Sequence, residues 1–291
     1  MIASFEMKFK KTYGRGSMYI KVINLVNKNK YKQAFFELIK NSKGQSEDVQ
    51  YLELLLEIQL KLNLKTEALK TIMVLQSKHF VQDREFLKLE LLMNLNRYNE
   101  ALDISFRLSE LNLNPLQVYK NFETKLHLYI YFNDFEGLEE ELNTYSNLFK
   151  DTDVFSFAQG ALYSYQENNN LALNSFRRAI DLNNTFDKAW VSLAIMHYKM
   201  GDRELALANI QQALDVNPQN SVAIKCFATW SEDKSLLDKA LKLVSGYVNI
   251  NNFEFELSQI EIYLLDKLGY VETAQAARLK SYYFFGDSLE L

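Results

Sequence analysis

"FDKAWVSLAIMHYKMGDRELALANIQQALDVNPQN" runs from Phe186 to Asn220. Trp190, Leu193, Ala194 and His197 fall at i, i+3, i+4 and i+7, one face of an α-helix. Gly201-Asp202 interrupts that face, and glycine readily takes the left-handed conformation that closes a helix. A second face follows in Leu205, Ala206, Ile210, Ala213 and Leu214. Asn217-Pro218 ends it, because proline cannot continue a helix and turns the preceding residue away from helical geometry. The spacing predicts two antiparallel helices joined by a tight turn. Ala194, Ala206 and Ala213 are small where the helices must approach closely, and Trp190 fills the wider end.

The preceding stretch, "DVFSFAQGALYSYQENNNLALNSFRRAIDLNNTF" from Asp153 to Phe186, repeats the pattern at a shift of 34 residues. Gly160 falls on Ala194, Tyr163 on His197, Ala172 on Ala206, Phe176 on Ile210 and Ala179 on Ala213. This period with these residues resembles the tetratricopeptide repeat. The departures are His197, where the family usually has Tyr, and Asn184, where it usually has Pro. The resemblance implies an all-α fold, a right-handed superhelical solenoid of about eight helix-turn-helix repeats.

Following the small residue of the second helix extends the ladder to Ala34, Ala68, Ala101, Leu138, Ala172, Ala206, Ala240 and Ala274. The gaps are 34, 33, 37, 34, 34, 34 and 34. Leu138, in "FEGLEEELNTY", is the rung without a small residue. We expect a basic N-terminal segment at 1–14, degenerate repeats at 15–116 and repeats at 117–288, with 153–220 the clearest, in one continuous solenoid. The seam falls at "ELNLNPLQVY", where three extra residues and Pro115 should change the angle between neighbours. "ATWSEDKSLLDKA", Ala228 to Ala240, is poor in helical apolar residues before Leu236. The first helix of the seventh repeat is therefore expected to end early.

Composition agrees with a solenoid, in which each repeat buries its face only against its neighbours. Nine Gly and two Pro in 291 residues disfavour a turn-rich β fold, and 48% hydrophobic residues exclude disorder over most of the chain. A formal charge of −4 argues against a nucleic-acid partner held mainly through phosphates. One cysteine, Cys226, excludes a disulfide scaffold and reads as a small packed residue. No apolar run approaches the roughly 20 residues that span a bilayer, and the N-terminus lacks the apolar core of a signal peptide. A cytoplasmic protein is expected.

A search for chemistry finds no phosphate loop, dinucleotide fingerprint, H-E-x-x-H or nucleophile elbow. His79, His127 and His197 lie in different repeats, so a three-His metal site would need an improbable convergence. No cofactor, no metal and no enzymatic activity are expected. What remains is surface. The resemblance implies that the first helices of successive repeats line a concave groove. Projected onto that frame, the groove carries His127 and Tyr131 in the fourth repeat, Phe157 and Tyr165 in the fifth, and Lys188, Val191, Ile195, Tyr198 and Lys199 in the sixth. Tyr165 and Tyr198 are expected as anchors that do not join helix to helix. Lys188 and Lys199 alone do not make the Lys/Arg/Asn set with which some members of the family grip a peptide carboxylate. The expected partner is another protein, bound through a peptide or an amphipathic helix, so that the chain acts as an adaptor. The competing expectation is a fixed structural subunit of a larger assembly. The tail, "KSYYFFGDSLEL", carries four consecutive aromatics that one helix face cannot bury, which points to self-association there.

Overall fold

The structure, a computed structural model, describes residues 17–40, 48–250 and 254–286. The N-terminal segment expected at 1–14 lies outside them. Secondary structure among the described residues is helical throughout, in sixteen helices forming eight consecutive hairpins. These are α1 (Ser17–Asn27) with α2 (Tyr31–Lys40), α3 (Val49–Lys61) with α4 (Lys65–Lys78), and α5 (Gln82–Asn94) with α6 (Tyr98–Ser109). Then come α7 (Pro115–Phe132) with α8 (Phe135–Phe149), α9 (Asp153–Tyr165) with α10 (Asn169–Leu182), and α11 (Asp187–Lys199) with α12 (Arg203–Val216). The last four are α13 (Ser221–Trp230), α14 (Lys234–Ile250), α15 (Phe255–Leu268) and α16 (Val271–Phe285). The chain divides into two compact units, Met1–Thr124 and Lys125–Leu291, with the border inside α7. No helix among the described residues is long and apolar enough to cross a membrane.

The ladder is borne out rung by rung. Ala34, Ala68, Ala101, Leu138, Ala172, Ala206, Ala240 and Ala274 all have 0% exposure. Each sits on the second helix of its hairpin. At such a point extra side-chain volume has nowhere to go. Gly160 shows how tight the approach is, since a Cβ built there would stand 2.5 Å from the ring of Phe176. The next repeat has Ala194 and Ile210 at these two places. From the fifth repeat to the sixth, the residue on the first helix grows from Gly to Ala while the one on the second shrinks from Phe to Ile.

A second ladder stands five residues before the first. Asn29, Asn63, Asn96, Asn133 and Glu167 have left-handed backbone, with φ between 55° and 58°, and Gly201 and Gly269 have φ 85° and 81°. Each makes the turn between the two helices of its repeat. Asparagine and glycine tolerate that conformation, whereas other L-residues lose roughly 1–2 kcal/mol in it. Tyr31 and Tyr98 each donate a hydroxyl hydrogen bond to the turn asparagine two residues back, Asn29 and Asn96, at 2.7 and 2.8 Å. The seventh repeat lacks the turn residue. Its first helix stops at Trp230, after 10 residues against 13 in α9 and α11, and α14 begins at Lys234. The early end expected from the sequence is present. The turn has slid about one helical turn upstream, and Ala240 keeps its place.

The regularity of the fifth and sixth repeats has a polar counterpart. Asn183 donates to Asp153 and Asn217 to Asp187, both at 2.6 Å. Each bond ties the end of a repeat's second helix to the start of its first, where the carboxylate also meets the positive end of the helix dipole. The long linker before α7 has its own device. Asn114 accepts from the Gln117 amide, and the Gln117 side chain accepts from the Asn114 amide, a reciprocal capping box around Pro115. Asn121 of α7 bonds Ser105 and Ser109 of α6, with Ser105 fully buried.

Glu167 is the misfit of the turn ladder, at φ 58°. Glu167→Gly is expected to raise stability by about 0.5–1 kcal/mol, the left-handed cost removed less the extra backbone entropy of glycine. Urea melts of the two proteins check it.

Candidate functional site

The expected groove residues fall on α7, α9 and α11, all within the second unit from Lys125 onward. His127 and Lys188 are brought together: the Lys188 Nζ lies 3.3 Å from the His127 Nε2. The two residues belong to the fourth and sixth repeats, with α9 between them in the chain. This side-chain contact puts His127 and Lys188 on one shared side of α7, α9 and α11. Ile130 of α7 and Leu193 and Met196 of α11 pack in the same apolar cluster as Phe157 of α9.

That closure corrects two expectations. Phe157 is 7% exposed, packed against Phe176 and Phe186 at centroid distances of 5.8 and 5.0 Å. Val191 is 6% exposed and sits in the core shared with α12, α13 and α14. Both pack against the second helix of their own repeat and against the next repeat, so they are core. Ile195 is half-buried against the same core as Val191.

The two tyrosines also join helix to helix, contrary to expectation. Tyr165 stacks on Phe135 of α8, with centroids 4.1 Å apart and planes 9° from parallel, yet remains 63% exposed. Tyr198 stacks on Trp230 of α13 at 4.3 Å and 6°, and is half-buried. Arg203 lies over the Tyr198 ring, 5.8 Å from its centroid, and pairs with Glu232. Phe135, Trp230 and Glu232 were missed in the sequence because each lies 29 to 32 residues from its partner, Tyr165, Tyr198 and Arg203 respectively. The early end of α13 was the available signal: it sets Trp230 at the helix terminus, level with Tyr198.

What remains accessible forms a row. Tyr131, Tyr165 and Lys199 occupy equivalent positions at the C-terminal ends of α7, α9 and α11, spaced by 34 residues. Tyr131 is 60% exposed with its ring edge-on to Phe132, and Lys199 is exposed. One turn before Tyr131 on α7, burial pushes the His127 imidazole down from its ordinary 6.5 to about 4, with the charge of Lys188 adding to the effect. His127 is therefore neutral at pH 7, and Lys188 can donate to its Nε2. Below the row, Lys125 and Glu141 form a buried ion pair at 3.1 Å between α7 and α8; burial raises the Glu141 pKa and Lys125 opposes the rise. Such a pair adds little net stability, but a lone partner left behind would be costly. Cys226 is half-buried and its thiol is pushed up to about 11 by burial, which leaves it unreactive.

Comparison with known proteins agrees with this architecture. Residues 187–220 match the tetratricopeptide repeat model. A stretch of 83 residues, 28% of this chain, is 35% identical to anaphase-promoting complex subunit 3 of Schizosaccharomyces pombe, and it spans 12% of that protein's length. A tetratricopeptide repeat protein from Parabacteroides merdae has a similar fold, with a TM-score of 0.68 at 14% identity over 85% of this chain and 97% of its own. The crystal structure of the Cut9–Hcn1 hetero-tetramer of the anaphase-promoting complex gives 0.57 at 12% identity over 84% of this chain and 48% of the matched one. The chain resembles tetratricopeptide-repeat proteins in its repeat and in its fold. That fold supports a role in protein–protein interaction or as a scaffold.

Because the folded His127 binds its proton more weakly than the unfolded chain does, acid favours unfolding. The contribution is absent above about pH 6.5, grows as pH falls, and levels off below about 4. Wild type is expected to lose more stability than His127→Gln between those values. Chemical denaturation at a series of pH values reads the difference.

Proposed function

We propose that the chain is a non-catalytic adaptor that binds an amphipathic helix of another protein along the inner edge of the fourth to sixth repeats. The observation that carries this reading is the 3.3 Å contact of His127 with Lys188 across two repeats, which supports taking their side of the helices as the inner one. The row Tyr131, Tyr165 and Lys199 lies at one end of that side. Two exposed aromatic rings one repeat apart suit apolar anchors of the partner, and Lys199 suits a carboxylate beyond them. Aromatic anchors usually carry most of the binding energy of such an interface. Tyr198, held by Trp230, positions the edge of the sixth repeat, and Ile195 forms part of its floor.

A second reading is a fixed subunit of a multiprotein assembly. It is favoured by the 83-residue similarity to anaphase-promoting complex subunit 3, a component of a complex by its name.

A displayed library of amphipathic helical peptides, panned on the purified chain, provides probes. Tyr131→Ala with Tyr165→Ala is expected to weaken a selected peptide by about 2–4 kcal/mol in sum, at the low end of hot-spot values per ring. Lys199→Glu should act less, and mainly on the association rate. Titration calorimetry beside a thermal melt measures both. Unchanged affinity in the double variant, with the fold intact, would move the site away from this edge and favour the subunit reading.

A further inference from the structure

Five exposed apolar side chains fall on one side of three successive second helices, all within the first unit. Ile39 of α2, Met73 of α4 and Phe106 of α6 each stand five residues past the rung of their repeat. Phe36 stands two past its rung and Val74 six past. Ile39, Met73 and Phe106 are 41%, 52% and 46% exposed, Phe36 72% and Val74 39%. At about 100° per residue, all three offsets lie within about 60° of the point opposite the rung. The five therefore share the outer side of their helices. In the fourth to seventh repeats the place five past the rung holds Asn143, Arg177, Gln211 and Ser245. Repeat packing thus does not require an apolar residue there. The charges of this side differ along the chain in the same way. Lys32 and Lys40 of α2 and Lys70 of α4 are exposed in the same sector, two before, six past and two past their rungs. Among the described residues, α2 and α4 place no carboxylate in that sector. On α6, Asp103 and Arg107 balance one another, and on α8 the sector holds Glu136 and Glu140. The units follow suit: residues 1–124 carry 19 Lys and Arg against 14 Asp and Glu, residues 125–291 carry 14 against 23.

We propose that the outer side of α2, α4 and α6 is a docking surface for an amphipathic helix of a partner protein whose polar side is acidic. Residues at one offset from the rung occupy equivalent places, so Ile39, Met73 and Phe106 form a row that crosses the three helices. Such a row suits the apolar stripe of a helix laid across it. Lys32, Lys40 and Lys70 stand beside the row at its first two members and suit carboxylates that flank the stripe. Their stems extend the apolar surface while their ammonium groups stay in water. The five side chains leave roughly 450 Å² open, at about 150–250 Å² for a whole large apolar side chain. That is the size of the largest patch on a typical monomer, and such patches are often functional. A partner burying a like area gives about 900 Å² in all, the range of weak and transient contacts. Asp103 stands within the row on α6, which favours a discrete acidic helix over a sheet of anionic lipid headgroups. The surface is separate from the edge formed by Tyr131 and Tyr165, and the proposal does not rest on that reading.

The test pans a displayed library of amphipathic helical peptides, with polar positions randomised among Glu, Lys, Gln and Ser. The target is the full chain carrying Tyr131→Ala and Tyr165→Ala, so that the groove edge is already disabled. Peptides that also bind the Phe36→Ser/Met73→Ser variant are subtracted. Those that remain are expected to carry more Glu than Lys, and to bind wild type with a Kd below about 100 µM, read by fluorescence anisotropy. Phe36→Ser with Met73→Ser is expected to weaken a selected peptide at least tenfold while circular dichroism stays unchanged, since both side chains are exposed. Lys40→Glu with Lys70→Glu should weaken it at least fivefold, and exchanging Glu for Lys in the peptide should restore binding to that variant. Restoration reads direct charge pairing, which a damaged fold does not give. No peptide left after subtraction, selected peptides without an acidic excess, or a charge exchange that fails to restore would each overturn the proposal. It would also be overturned if the face served another occupant. That outcome is sedimentation with phosphatidylserine vesicles, or a wild-type dimer by light scattering, abolished by Phe36→Ser/Met73→Ser while no peptide is selected.

Discussion

The close approach of the two helices inside each repeat is the contact on which the rest of the structure depends. Eight side chains, seven alanines and Leu138, stand at that approach with no solvent exposure. A helix pair separated by so little space fixes its own distance and register through packing. Everything else is referred to that register. The left-handed turn residue lies five positions before the rung, and the face that packs on the next repeat lies four to eight positions after it. The seventh repeat isolates the dependence. Its turn slides upstream and loses its left-handed residue, while Ala240 remains buried and the stack continues through Val244 and Val248.

Close packing between successive first helices follows from the same register, and it decides what the concave side can offer. At the fifth repeat Phe157 packs on α10 and against side chains of both neighbouring repeats. Phe157 becomes core, and His127 reaches Lys188 across two repeats. Accessible aromatic surface stands instead at the C-terminal ends of α7 and α9, as Tyr131 and Tyr165, and on α16, as Tyr282 and Tyr283.

The rungs were legible in the sequence because they depend on local spacing alone. Alanine recurs at 34 residues wherever two helices of one hairpin touch, and even the Leu138 rung could be placed from its neighbours. The short α13 was legible too, from the thin apolar pattern in "ATWSEDKS". The turn ladder was only half visible. Gly201 announces itself, but Asn29, Asn63, Asn96 and Asn133 look like ordinary loop asparagines until their φ angles show the shared conformation. Groove exposure was not legible. Phe157 and Val191 were projected into the groove, but they pack against second helices and the next repeat, contacts that no local pattern contains. The stacked pairs Tyr165–Phe135 and Tyr198–Trp230 likewise join residues about one repeat apart, and sequence spacing alone does not select them among the many aromatics.

The size exchange between neighbouring repeats tests this dependence most directly. Gly160 with Phe176, and Ala194 with Ile210, occupy the same two places one repeat apart. In a double-mutant cycle read by urea melts, Gly160→Ala alone should overpack the Phe176 ring and cost about 1–3 kcal/mol. Phe176→Ile alone should leave a cavity and also destabilise. The two together rebuild the pairing of the sixth repeat, and the double variant should be more stable than either single one. Additive losses would mean that the two positions do not share one contact, and that the repeats do not share one frame.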